Sequence, residues 1–135
     1  MLVSIIIPTL NEEDFILYAI QAARRDYSLD QVEIIIVDGG SQDGTTEILP
    51  PDVQLVRSKP GRAIQMNLGA QHANGEILIF CHADSSLPKG WYEAIIKKLS
   101  QKSISGGTFQ LAIIPATGIL KFWNQLLFQN FCLGV

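Results

Sequence analysis

The sequence predicts an α/β fold: a mainly parallel, twisted sheet with helices on both faces, an α/β/α arrangement of three layers. Three observations predict it. Val3 to Pro8, Val32 to Asp38 and Glu76 to Phe80 are short apolar runs rich in β-branched residues, the pattern of strands buried on both faces of a parallel sheet. Between the runs, apolar residues recur at helical spacing, so strands alternate with helices and the crossovers are right-handed. Two runs lead into carboxylates, Asp38 and Asp84, which parallel strands bring to one edge. In open α/β sheets, ligands bind in the crevice outside that edge.

Composition bounds the rest. A chain of 135 residues with 47% apolar and 17% charged residues is read as one domain, residues 1–135, large enough for a real core. The net charge is −3 and the lysines and arginines are scattered, which excludes a nucleic-acid polymer as partner. The two cysteines, Cys81 and Cys132, are far apart and have no metal or redox spacing. Cys81 is expected in the core, and a reduced, cytoplasmic setting fits. Met1 to Pro8 lacks the basic start and long apolar region of a signal peptide. No apolar stretch approaches twenty residues, so no transmembrane segment is expected.

Taken in order, Val3 to Pro8 is the first strand, ended by a proline that cannot donate to a ladder. Asn11 is placed to cap the following helix, with Glu12, Glu13 and Asp14 in its first turn, where the helix dipole favours anions. Phe15, Ile16, Ala19, Ile20 and Ala23 continue it to about Tyr27. Val32 to Asp38 is the second strand. It runs into Gly39-Gly40-Ser41-Gln42-Asp43-Gly44, where glycines let backbone approach a ligand and Ser41 is placed to cap a short helix through Leu49. The spacing is neither a dinucleotide fingerprint nor a P-loop.

Val53 to Arg57 is half polar, an edge strand. Pro60-Gly61-Arg62 opens a helix that stops near Asn74-Gly75. Arg62 sits where the helix dipole favours anions, which suggests contact with a phosphate or base. The run to Phe80 then leads into Cys81-His82-Ala83-Asp84-Ser85-Ser86. An ionised aspartate is not left unpaired in a core, so Asp84 faces solvent or a cation. The local alternatives are turn capping, for Asp38 as for Asp84, and packing for His82.

A helix follows from Trp91, with Ile95, Ile96 and Leu99 inward and Lys97, Lys98 and Lys102 outward. Gly106 to Ile113 reads as a further strand. Thr117 to Val135 carries Leu120, Trp123, Leu126, Leu127 and Phe131 at helical spacing. Core packing is the first reading of that stripe, and a homodimer through this C-terminal helix is the second.

Four linked segments, in this order and spacing, resemble family 2 glycosyltransferases. They are Ile5 to Glu12, Val37 to Thr45, Gly61 to Ala70, and Phe80-Cys81-His82-Ala83-Asp84-Ser85. The resemblance implies the GT-A nucleotide-diphospho-sugar transferase fold. It also implies transfer of a sugar from a nucleotide-diphosphate donor to an unknown acceptor, with inversion and a divalent metal, Mn or Mg. In the second segment the family's aspartate, here Asp38, recognises the base. The fourth stands for the Asp-x-Asp metal motif, with Asp84 as metal ligand and His82 in place of the first aspartate, as in a His-Ala-Asp subgroup. Donor binding is thereby assigned to Pro8, Thr9, Asn11, Glu12, Asp38, Gly40, Ser41, Arg62, Asn67, His82, Ala83 and Asp84.

Family members continue into an acceptor-binding half with an acidic base. Gly106 to Val135 contains no Asp or Glu, so the catalytic base is unassigned. The chain is read as the donor half of a longer architecture. A catalytically incomplete nucleotide-sugar-binding module is the alternative. A nucleotidyltransferase is disfavoured, because Thr9 to Glu13 is acidic where that class carries a basic glycine-rich loop.

Overall fold

Strand β1 (Val3–Thr9) is apolar apart from Ser4 and Thr9, and it takes an inner position in the sheet. The computed structural model describes residues 1–25, 27–100 and 105–108. The elements that follow are α1 (Ile16–Arg24), β2 (Val32–Asp38), β3 (Gln54–Arg57), α2 (Arg62–His72), β4 (Ile77–Phe80) and α3 (Trp91–Leu99). The four strands form one parallel sheet in the order β3-β2-β1-β4. Thr9 lies opposite Asp38, and Ile6 opposite Phe80. The chain therefore leaves β1, β2 and β4 at one edge, as the sequence predicts.

Both faces of the inner strands are covered. On one, Ile6, Ile35 and Val37 are fully buried, with Leu68, Ala70 and Ala73 packed on them. The helix α2 comes close there. A methyl group at Gly69 would collide with Ile6 and lie 2.9 Å from Val37 Cγ2. On the other face Val3, Ile5, Ile7, Ile34 and Ile36 are at most 2% exposed. A right-handed crossover brings α1 to that face, and α1 buries Ile16, Ala19, Ile20, Ala22 and Ala23.

The amino end of the sheet is tied by one carboxylate. Glu33 accepts from Ser4 Oγ, from Asn74 N–H at 2.6 Å and Nδ2 at 3.1 Å, and from Gly75 N–H at 3.1 Å. Gly75 N–H also reaches Ser4 Oγ at 2.7 Å. Burial pushes the Glu33 carboxyl up, but the donors from Ser4, Asn74 and Gly75 outweigh it and hold it below the usual range.

Several expectations are corrected. Strand β4 is not buried on both faces: Leu78 and Phe80 are 41% and 46% exposed, and among the described residues β4 is an edge strand paired only with β1. The helix α1 begins at Ile16 with Phe15 at its N-cap and no acid in its first turn. Phe15 and Ile16 N–H both bond Glu12 O, so Glu12 to Asp14 belong to the preceding turn. Residues 44–48 form turns, not a helix. Asp43 caps them, accepting from Thr45 N–H at 3.0 Å, so Ser41 is free for another task.

A second unit begins at Gly90; in its described part α3 buries Trp91 while Ile95, Ile96 and Leu99 are half-buried. Trp91 meets Tyr92 edge to face at 5.7 Å. Lys102 lies outside the described residues. Most of the strand expected over residues 106–113 does too, and Gly106 to Thr108 take no regular structure. The C-terminal helix and its dimer face lie wholly outside. No helix among the described residues is long and apolar enough to cross a membrane.

Candidate functional site

At the carboxyl edge, three segments enclose a cavity of about 330 Å³. The end of β1 contributes Pro8, Thr9, Leu10 and Glu12. The start of α2 contributes Gly61, Arg62 and Gln65, and the turn after β4 contributes His82, Ala83 and Asp84.

That turn follows from the ladder. Cys81 N–H bonds Ile6 O at 3.0 Å, one step past β4, and Ser85 N–H then closes on His82 O at 3.1 Å. Ala83 is 3% exposed, whereas His82 and Asp84 are exposed on either side of it. A small buried residue between two polar ones thus anchors the turn and leaves both polar side chains wet. Cys81 is half-buried at the base of this turn and not in the core, with Sγ 3.5 Å from His82 O. Burial, helped by the Asp84 charge, pushes its thiol up.

The second wall is stitched to a neighbouring loop. Asn11 takes a left-handed conformation, φ 57°, which asparagine tolerates. Its N–H donates to Ser41 Oγ at 2.9 Å, and its Oδ1 accepts from Gln42 N–H at 2.8 Å. Glu12 N–H donates to Thr45 Oγ1 at 2.8 Å, and Gly44 N–H to Glu13 Oε2 at 3.0 Å. Asn11 is therefore a tie between loops and not the cap of α1.

Asp38 departs from expectation most. It is fully buried and does not line the cavity. Its carboxylate accepts from Gly40 N–H at 3.0 Å and from Ser41 N–H and Oγ, with Arg57 Nη1 at 3.7 Å. The chain turns at once after β2, with Gly40 at φ 98°, and wraps the carboxylate. Of the two readings open in the sequence, turn capping describes this geometry. Gly39 is small for an equally local reason: a Cβ there would lie 3.1 Å from Gln65 Nε2. The space beside it is taken by the protein's own amide.

Of the residues assigned from sequence, Pro8, Thr9, Glu12, Arg62, His82, Ala83 and Asp84 come together around the cavity. Asn11, Asp38, Gly40 and Ser41 form the loop network beside it, and Asn67 is an exposed position of α2 outside the lining. Leu10, Gly61 and Gln65 were missed. The signal for Gln65 was a lone amide in the first turn of a helix, which reads as solvent-facing, yet it is 4% exposed.

The acids of the cavity repel one another. Partial burial raises the Glu12 carboxyl, and the charges of Asp84 and Asp43 add to the rise against an opposing pull from His82. Added positive charge would relieve this. Among the described residues no group of three His, Cys, Asp or Glu is placed to hold a metal. The donor set fits the other way proteins hold magnesium-like ions, with one or two carboxylates and the rest from substrate phosphates. Asp84, with Glu12 near, supplies that minimum. Imidazole suits softer ions, so His82 is a wall residue first.

A parallel sheet with a mixed-charge cleft at its carboxyl edge is an architecture built to hold a ligand. The chain belongs to glycosyl transferase family 2, whose profile matches residues 4–124. It is 31% identical over 107 residues to glycosyltransferase AglE of Haloferax volcanii, covering 73% of this chain and 35% of that one. The mannosyltransferase PcManGT from Pyrobaculum calidifontis, solved with GDP-Man and Mn2+, superposes with a TM-score of 0.64 at 28% identity. That match covers 76% of this chain and 33% of the other. TarS of S. aureus, solved with UDP-GlcNAc, shares the fold with a TM-score of 0.64 at 22% identity, over 85% of this chain and 38% of TarS. The fold is thus the GT-A α/β fold of nucleotide-sugar transferases. The chain spans between a third and two fifths of the length of these relatives.

Proposed function

We propose that the carboxyl-edge cleft binds a nucleotide-diphosphate sugar with a divalent cation at Asp84, and that the chain is the donor half of an inverting glycosyltransferase. One observation carries the reading. Asp84 and Arg62, of opposite charge and on different elements, line a single cavity at the edge where α/β sheets take ligands. Arg62 and the start of α2 suit phosphate oxygens. Pro8, Thr9, Leu10 and Glu12 form the wall against which base and ribose lie, with Gly40 and Ser41 in the loop behind it. Asp38 serves base recognition by fixing that loop.

Asp84, with Glu12 near and His82 on the wall, would hold the metal, Mn or Mg. When bound it would neutralise the leaving diphosphate. The chain's own residues orient the donor before chemistry. The likeness to a mannosyltransferase solved with GDP-Man and Mn2+ supports a nucleotide donor with a cation. A donor-binding module without transfer activity is the second reading, favoured by the lack of any Asp or Glu in Gly106 to Val135 to deprotonate an acceptor.

The test is thermal unfolding with UDP, GDP, UDP-GlcNAc and GDP-Man, each with and without Mn2+. One of them, at about 100 times its dissociation constant, should add about 2.7 kcal/mol of stability only with the cation. Asp84→Asn should remove the cation-dependent part. An equal cation-dependent shift in that variant defeats the assignment of Asp84. Release of free sugar from the donor, assayed on the same protein, separates enzyme from binding module.

A further inference from the structure

We propose that Gln65 is the positioning residue of the cleft, a side-chain amide that locks the ends of β1 and β2 to the start of α2. The inference rests on the donor-site reading above. Gln65 is 4% exposed in a helical turn whose neighbours Arg62, Ala63 and Ile64 are exposed. Its Nε2 donates to Thr9 O at 2.8 Å and to Val37 O at 2.7 Å. Its Oε1 accepts from Gly61 N–H at 3.3 Å. Both amide hydrogens and the carbonyl oxygen are thus used, the hydrogens on two strands remote in sequence and the oxygen on the start of its own helix. Thr9 O also accepts from Gly39 N–H at 2.9 Å, which draws the glycine loop into the same node.

Simple packing would not select an amide here. Methionine has the same reach and avoids desolvating a polar group. Two donors and an acceptor in one plane fix direction as well as distance, and among side chains only an amide carries that set. The node holds Thr9 and Gly61, two walls of the cavity, and Arg62 follows Gly61 directly. Gly61 sits at φ 141°, a conformation open to few other residues; its N–H donates to Gln65 Oε1 and its carbonyl accepts from Gln65 N–H at 2.9 Å. Without the side-chain bond one of those two ties is lost, and the wall beside Arg62 loosens.

The test uses the whole chain with Gln65→Met, which keeps the shape without the hydrogen bonds, and Gln65→Glu, which keeps only the acceptor. Glu33→Gln, altered at the far end of the sheet, is the control for general loosening. In calorimetric titrations with UDP and GDP plus Mn2+, both Gln65 variants should bind about tenfold more weakly, and Glu33→Gln within about twofold of the parent. Hydrogen exchange at the Gly61 amide should quicken about tenfold in Gln65→Met and stay unchanged in Glu33→Gln.

In the parent, the Gln65 side-chain amide protons should exchange about tenfold more slowly than those of exposed Gln42, a readout that needs no variant to fold. Nucleotide affinity within about twofold of the parent in Gln65→Met overturns the proposal, and so does fast exchange of the Gln65 amide. A parent that binds neither nucleotide withdraws the donor-site reading, and the exchange comparisons then decide the role of Gln65 alone.

Discussion

At the amino end of the sheet, Glu33 is surrounded by donors from Ser4, Asn74 and Gly75, and its carboxyl is held below the usual range. At the carboxyl end, partial burial raises the Glu12 carboxyl, and the charges of Asp84 and Asp43 add to the rise. The same residue type therefore closes the fold at one end and stores unrelieved repulsion at the other. Hydrogen bonds that satisfy a carboxylate consume its capacity to bind anything else. Acids left in repulsion keep that capacity, which suits a cation-dependent site. Asp38 shows that the division runs by environment and not by edge. It lies at the carboxyl end, yet it is fully buried and satisfied like Glu33.

The sharpest test of that comparison is Asp38→Ala. It empties a fully buried site and leaves Gly40 N–H, Ser41 N–H and Ser41 Oγ without their acceptor, and should cost about 2 kcal/mol in denaturant unfolding. An unchanged unfolding midpoint would put Asp38 with the open acids. Glu33→Ala removes the acceptor of four donor groups on three residues, and a loss of about 2 kcal/mol is expected, with nucleotide affinity preserved. Weakened nucleotide binding in this variant would mean that the two ends are coupled.

The pH dependence sharpens the contrast by sign. Glu33, depressed when folded, adds stability that is present above its ordinary value of 4.5 and is lost as pH falls through its folded value. Unfolding of Glu33→Gln followed below pH 4.5 should lack that part of the acid loss. Glu12, raised when folded, acts oppositely: its charged form is disfavoured at neutral pH and the penalty is relieved on acidification. Glu12→Gln should therefore leave ligand-free stability at pH 7 unchanged or slightly higher, within about 0.5 kcal/mol. A clear loss of stability would place Glu12 among the structural acids.

The sheet was legible because its strands are written as unbroken β-branched runs, and parallel topology follows from their alternation with helices. The helix over Arg62 to His72 and the edge character of Gln54 to Arg57 came from the same periodicities. The position of the last strand was not legible. Glu76 to Phe80 reads like an inner strand, and only the observed pairing places β4, among the described residues, beside β1 alone. For the site, residues whose chemistry points at a ligand, such as Asp84 and Arg62, were found by type and location. Asn11 and Ser41 were found too, but their roles turn on hydrogen bonds across some 30 residues of sequence, and the burial of Asp38 leaves no mark in its own turn. Gln65 was passed over because its partners are backbone carbonyls, which leave no mark in a sequence.

Strand β1 draws its two neighbours from very different distances along the chain. Its partner β2 ends at Asp38, whereas its other partner β4 begins only at Ile77. While a ribosome makes the chain, β1 and β2 can pair early, but the far edge of β1 stays open for roughly forty more residues, on the order of 2–8 s of synthesis. That open edge is the backbone of Val3 to Ile7, among the most apolar stretches of the molecule and a ready template for strands of other chains. A cell producing this protein would need to shield that edge during the interval, and slower translation between the two strands should increase aggregation.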